Sequence, residues 1–274
     1  MDLSHINAAL VDIRRDLVVE SPCLVGEGGA GRIYRVDTPV GPLALKVAFD
    51  DARCHESRCR IAREARILGR LDSHLVPRLE AADPEGRFLL RGFVDGVPLD
   101  RVPAPHASDH IQAVLQSAAA ILPGVHAHRS ALRDFKPANL VVDPARGVCV
   151  VDVGSCRAWS AFHTAGDPVR IGSGRWRHWA PEQLIGFDES PSGAIDYFSV
   201  ASTVTWCATG EFPYTNQERA TDRARLRYVE EWRWKMPRIR ERLHEIGVPR
   251  AVAEFVVRSL DPRPGYRATE IPAW

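Results

Sequence analysis

LRDFKPANLVVDPARGVCVVDVG, residues 132–154, is the stretch that decides the reading. Leu140-Val141-Val142 and Val148-Cys149-Val150-Val151 are short apolar runs rich in β-branched residues, and Asp143-Pro144-Ala145-Arg146-Gly147 between them is turn chemistry. The pattern predicts an antiparallel hairpin. Asn139 immediately precedes the first strand and Asp152 immediately follows the second, so pairing brings them to the same open end. An amide oxygen beside a carboxylate suits Mg²⁺, with phosphate oxygens completing the shell. Asp134 and Lys136 lie just upstream and reach the same space. An acid, a cation and two oxygen ligands together suit phosphoryl transfer, which is catalysed mostly by positioning and charge neutralisation.

Upstream, Gly26-Glu27-Gly28-Gly29-Ala30-Gly31 lies between two strand-like runs, Cys23-Leu24-Val25 and Ile33-Tyr34-Arg35-Val36. Glycines let backbone N–H groups approach an anion closely. A dinucleotide-binding turn would lead into a helix, and here a strand follows. Taken alone, a glycine-rich hairpin with no ligand reads equally well. In LALKVAF, Leu43, Leu45, Val47 and Phe49 share one strand face, and Ala44, Lys46 and Ala48 share the other. Lys46 therefore projects among small residues. The next segment reads as a helix with an apolar stripe of Ile61, Ala65 and Leu68, and Glu64 falls on that stripe. A carboxylate there needs a partner, and Lys46 is the natural one; a solvated position at the stripe's edge is the other reading. Of 36 basic residues only Lys46, Lys136 and Lys235 are lysine. In a chain that otherwise uses arginine, this is either drift or a sign that those sites need a compact ammonium rather than a guanidinium.

The chain has 274 residues, 45% hydrophobic and 26% charged, with a net charge of +1, which suits a globular protein and points to neither nucleic acid nor membrane. No apolar run is long enough to span a bilayer, and the N-terminus lacks a secretory signal pattern. The six cysteines form no C-x-x-C pair and read as reduced thiols, so a cytoplasmic location is expected. Helices are predicted near residues 4–17, 56–71, 108–129, 196–209, 217–234 and 250–260, and strands within 20–50 and 76–91. The expected architecture is α+β in two lobes. It comprises a helical extension over 1–19, a small β-rich lobe over 20–94 and a larger helical lobe over 95–274.

These motifs, in this order from about Leu24 to Arg267, resemble a eukaryotic-type serine/threonine protein kinase catalytic domain. The resemblance implies a two-lobed kinase fold, ATP and Mg²⁺, and a protein substrate bearing a Ser/Thr hydroxyl. Gly26, Glu27, Gly28 and Gly31 correspond to the phosphate-cradling loop. Lys46 corresponds to the lysine on the α- and β-phosphates, and Glu64 to its helix partner. Asp134 matches the catalytic base, Lys136 the γ-phosphate contact, and Asn139 and Asp152 the metal ligands. Ala180-Pro181-Glu182 resembles the end of the activation segment. Asp196 resembles the buried anchor of the catalytic loop, and Arg267 the late arginine that pairs with Glu182. Arg133 before Asp134 resembles kinases switched by phosphorylation, with Thr164 or Ser173 as candidate sites.

The departures are specific. Leu132 replaces the usual histidine, Val153 the usual phenylalanine, and Ala30 the usual aromatic loop tip. Arg91 stands behind the adenine position, where it either competes with Lys46 for Glu64 or signals a strand register one residue off. Arg157, Arg170, Arg175 and Arg177 make the activation segment basic, and Trp176 and Trp179 are unusual there. A kinase-like enzyme for a small-molecule hydroxyl and a non-catalytic pseudokinase are the alternatives. Lys235 reads as a solvated helix-end residue, Trp232 and Trp234 as packing residues, and His126 and His128 as helix-end or packing residues.

Overall fold

The alternation read in LALKVAF is realised in a five-stranded antiparallel sheet. In the computed structural model, which describes residues 3–159, 175–185, 193–214 and 222–274, helix α1 (Ser4–Ile13) leads into β1 (Glu20–Gly28), β2 (Gly31–Asp37) and β3 (Leu43–Val47). Helix α2 (Cys54–Leu68), β4 (Leu79–Ala82) and β5 (Phe88–Gly92) follow, and the strand order is β1-β2-β3-β5-β4. One face of the sheet turns Val36, Leu43, Leu45, Phe88 and Leu90 toward Ile6 and Leu10 of α1 and toward Leu17 and Val19 beyond it. The predicted first helix is shorter than expected. Arg14 leaves helical geometry (φ −150°, ψ 84°) and its guanidinium bonds Asp16 and Glu80. Leu17 and Val19 then continue the apolar contact as extended chain, folded back because the Asn7 side chain bonds both the N–H and the carbonyl of Val19.

The other face carries Lys46 and Arg91. Lys46 pairs with Leu89 and Ala44 with Arg91, so the register is not slipped and Arg91 shares the face of Lys46. Small Ala44 leaves room beside the guanidinium.

The second lobe runs through β6 (Val97–Pro98), α3 (Ser108–Ala127), β7 (Ser130–Ala131), β8 (Leu140–Asp143), β9 (Gly147–Val150) and β10 (Arg157–Ala158). Helices α4 (Pro181–Ile185), α5 (Ala194–Thr209), α6 (Asp222–Glu245) and α7 (Arg250–Ser259) complete it. Helix α5 is buried nearly all round, as expected of a helix at the centre of a lobe. Its hydroxyls are satisfied: Thr203 Oγ1 donates to the Phe135 carbonyl at 3.1 Å, and Thr205 Oγ1 to that of Ala201 at 2.9 Å. Ile111, Leu115, Ile121 and Val125 of α3 and Val252 and Val256 of α7 belong to the same core.

Helix α6 differs from expectation. It continues past Trp234 and through Pro237 to Glu245. Met236, Ile239 and Leu243 are buried on its inner face, and that packing outweighs the hydrogen bond a proline removes. Two readings on this helix are corrected. Lys235 is not solvated; it is largely buried and pairs with Glu231 at 2.7 Å. Trp234 does not pack inward but is 54% exposed, whereas Trp232 packs on the core and donates to the Val257 carbonyl.

Candidate active site

The hairpin forms as its turn chemistry requires. Leu140 pairs with Val150 and Asp143 with Gly147. Asp143 Oδ1 accepts from the N–H groups of Ala145 and Arg146, closing the turn from its own side chain. At the open end the Val151 N–H donates to the Asn139 carbonyl at 2.9 Å. Asn139 and Asp152 therefore flank the last rung.

The loop before the hairpin is held from below. Asp196, fully buried at the start of α5, accepts from the Leu132 N–H at 2.9 Å and the Arg133 N–H at 2.7 Å. Arg133 has φ +70°, a conformation a non-glycine residue keeps only when its surroundings hold it. His126 Nε2 lies 2.8 Å from Asp196 Oδ2, so this helix-end histidine steadies the anchor. Gln183 was not singled out from the sequence. Its Nε2 donates to the Arg133 carbonyl and its Oε1 accepts from the Ala180 N–H. An isolated glutamine carries no pattern that would have revealed it.

Above this floor sits Asp134. Lys136 Nζ donates to both its carboxylate oxygens, at 2.6 and 2.5 Å. Asn139 Nδ2 donates to the Asp134 carbonyl at 2.8 Å and to Oδ2 at 3.1 Å. Trp179 adds its indole N–H to Oδ1 at 3.4 Å, a contact the sequence did not disclose.

Across the cleft, Lys46 and Glu64 are fully buried with Nζ 2.5 Å from Oε2, and Asp152 Oδ2 lies 3.3 Å from the same ammonium. Burial opposes the charge on Lys46, but Asp152 and then Glu64 outweigh it and raise the ammonium above its usual range. Burial likewise works against the Asp152 carboxylate, yet Lys46, the Gly154 N–H, Arg91 and Lys136 hold it well below the usual range. On Glu64 burial dominates and pushes the carboxyl up. Arg91 reaches the same carboxylate, with Nε 3.7 Å from Oε1. Gly154 makes the gathering possible, since a Cβ there would stand 3.2 Å from both Asp152 Oδ1 and Glu64 Oε2.

A cavity of about 610 Å³ is lined by residues that include Gly26, Glu27, Gly28, Asp134, Asn139 and Asp152, while Lys46 and Glu64 stand outside its lining. Gly31 lies outside the lining. It has φ +147°, and a Cβ would meet the Val47 carbonyl oxygen at 2.1 Å, so this glycine serves the close approach of β2 and β3. Glu27 is half-exposed and pairs with Arg32 at 3.3 Å.

Burial, followed by the charges of Arg63, Arg133 and Arg60, pushes Arg157 down to about 10. Thr164, Arg170 and Ser173 lie outside the described residues. At the end of the activation segment, Glu182 meets Arg267 in a two-pronged ion pair at 2.5 and 2.8 Å.

His178 is buried, with Nδ1 3.0 Å from Ser202 Oγ. Burial, then Lys136, pushes its ring down to about 3. The folded chain refuses a proton that the unfolded chain accepts near pH 6.5. This contribution to stability is therefore complete above that value and is lost as pH falls from there toward 3, at up to roughly 1.4 kcal/mol per unit. His178→Gln is expected to flatten the fall in urea midpoint between about pH 6.5 and about pH 5. An unchanged slope in the variant would remove His178 as the cause.

Known proteins are similar to this chain in sequence. A family model described as "Protein kinase domain" matches residues 20–272. The serine/threonine-protein kinase PknH of Mycobacterium bovis is 30% identical over 206 residues, covering 72% of this chain and 34% of that protein. PknD of Mycobacterium tuberculosis is 29% identical over 203 residues, covering 70% of this chain and 29% of its own. PknF of the same species is 28% identical over 210 residues, covering 72% and 44%. The chain spans less than half the length of each of these relatives. With the match running through the glycine loop, the buried Lys46–Glu64 pair, the hairpin and the Glu182–Arg267 pair, the chain belongs to the protein kinase domain family.

Proposed function

We propose that this chain is an ATP- and Mg²⁺-dependent kinase that transfers the γ-phosphoryl group to a serine or threonine hydroxyl of a protein. One observation carries the reading: Asp134, Lys136, Asn139 and Asp152 meet at the ends of a single hairpin, facing the Lys46–Glu64 pair. In the reaction Asp134 orients the acceptor hydroxyl and takes its proton at a carboxylate oxygen. Lys136, holding both Asp134 oxygens, fixes that carboxylate and sets a positive charge where the phosphoryl group passes. Lys46, kept charged, holds the nucleotide phosphates, and the backbone at Gly26 and Gly28 cradles them.

The residues present fit Mg²⁺. Asn139 turns its amide N–H₂ to Asp134, which leaves its carbonyl oxygen for a cation. Asp152 is held ionised, so the donor set is all oxygen. Mg²⁺ held there supplies charge neutralisation at the transferring phosphoryl oxygens. No helix among the described residues is long and apolar enough to cross a membrane. All six cysteines are free, which fits a reducing compartment, and the reading puts the reaction in the cytoplasm.

Transfer from γ-labelled ATP with Mg²⁺ tests the reading, with the chain itself and a generic basic protein as acceptors. Labelled Ser or Thr in either is the expected result. Nucleotide binding without label on any protein would move the acceptor to a small molecule or leave a pseudokinase. No binding at all would favour a scaffold.

A further inference from the structure

Arg91 is a buried cation whose donors the fold leaves unused. It is 3% exposed, and its Nε has no hydrogen-bond partner. Glu64 Oε1 stands 3.7 Å from that nitrogen, close enough for an ion pair and too far for a hydrogen bond. The other oxygen of that carboxylate belongs to Lys46. No hydrogen bond among the described residues uses Nη1 or Nη2 of Arg91, and the residue lines the cavity between the lobes. A guanidinium carries five N–H donors, and burying donors without acceptors is costly. The cavity is therefore where their acceptors must come from.

The apolar part of the lining comes from both lobes: Val25, Ile33 and Ala44 from the sheet, Val141 and Val151 from the hairpin and the residue after it. Such a slot suits a flat heterocycle. Ala44 pairs directly with Arg91, and its small side chain leaves room for a base to reach the guanidinium. Burial gives way from Arg91 to the exposed Asp95 and Gly96, so Arg91 marks the inner end of the slot.

In the kinase reading, on which this inference rests, a purine triphosphate lies with its phosphates toward the glycine loop and its base in the slot. The edge farthest from the sugar then turns inward, carrying the 6-substituent flanked by N7. Guanine and hypoxanthine present two acceptors there, O6 and N7, spaced for the fork of an arginine. Adenine presents N7 beside an amino group, which sets a donor against a donor. The mismatched base leaves buried N–H groups unpaired, and that is how a polar site rejects a near-identical ligand.

We propose that Arg91 is a specificity-determining residue that reads the 6-position of the donor's purine, so that the cleft takes a 6-oxopurine triphosphate such as MgGTP at least as readily as MgATP.

The test is titration calorimetry on the full chain with MgATP and the triphosphate of inosine, MgITP, whose bases differ only in the 6-substituent and at N1. Wild type is expected to bind MgITP as tightly as MgATP or tighter. Arg91→Met is expected to shift the ratio of the two affinities toward MgATP by about tenfold. Arg91→Gln offers one donor and one acceptor, the pattern that matches adenine, and is expected to shift the ratio the same way; it serves alone if the methionine variant does not fold. A wild type that favours MgATP by more than about threefold would overturn the proposal. So would a ratio that both variants leave unchanged, since Arg91 would then act on the phosphates or on Glu64 and not on the base. A wild-type chain that binds neither nucleotide overturns the kinase reading and this proposal with it, whereas the other two outcomes overturn this proposal alone.

Discussion

Asp134→Asn is expected to lower phosphoryl transfer by about three orders of magnitude and to leave MgATP binding within about twofold of wild type. The substitution removes the carboxylate placed to take a proton, against which its neighbour Lys136 holds a charge. It preserves shape. The backbone carbonyl of residue 134 still accepts from Asn139, and one amide oxygen remains for Lys136. The cost to the fold is moderate: each carboxylate oxygen accepts from two donors, Lys136 and Trp179 on Oδ1 and Lys136 and Asn139 on Oδ2, so an amide N–H₂ in either place loses two hydrogen bonds, roughly 2–3 kcal/mol. Initial rates with γ-labelled ATP, beside calorimetric binding of MgATP, separate the two effects. A rate loss below about tenfold would take the role of base away from Asp134, since general-base catalysis contributes more than that. A parallel loss of MgATP affinity would mean that the substitution had disturbed the metal ligands as well.

The second large effect concerns stability. Glu182→Ala is expected to cost about 3–5 kcal/mol, because it strands the Arg267 guanidinium, whose side chain is wholly buried. For a chain of this size that corresponds to a fall of roughly 10 °C in Tm. Surface ion pairs such as Arg35 with Asp37 have no comparable weight, since water screens them. Adding Arg267→Met to Glu182→Ala is expected to recover only part of the loss. An apolar pair of similar size often replaces a buried ion pair well. Here, however, Arg267 also donates to the carbonyls of Asp261 and Ala194, two bonds that the double variant loses. Thermal melts of the three variants decide it. Full recovery in the double variant would show that the ion pair alone, and not the bonds to the backbone, sets the cost.

The hairpin was legible because its information is local: two apolar runs, a turn, and polar residues at fixed distances from each. Glu64 was legible for a different reason, since a carboxylate on an apolar stripe demands a cation and the chain has few lysines to offer. Periodicity could place Arg91 on the face of Lys46 but could not measure its distance from Glu64, so competition and a register slip stayed open until the strands were paired. Trp179 and Gln183 belong to contacts that join the activation segment to the catalytic loop across the fold, and no sequence pattern encodes such pairings. The course of α6 past Trp234 was decided by packing on α7, where burial of Met236, Ile239 and Leu243 overrides a proline. Trp234 and Lys235 changed places for the same reason: neighbouring positions on a helix differ in direction by about 100°, and only the packed partner says which of them points inward.

The family match begins at residue 20, yet the sheet it enters is closed by residues that come earlier. Ile6, Leu10, Leu17 and Val19 form a lid over Val36, Leu43, Leu45, Phe88 and Leu90. A chain trimmed to the homologous boundary would therefore expose that apolar face to water and is expected to aggregate. The edge of kinship and the edge of the hydrophobic core are therefore different places in this chain, and the small lobe's apolar face is closed by residues that lie ahead of the match.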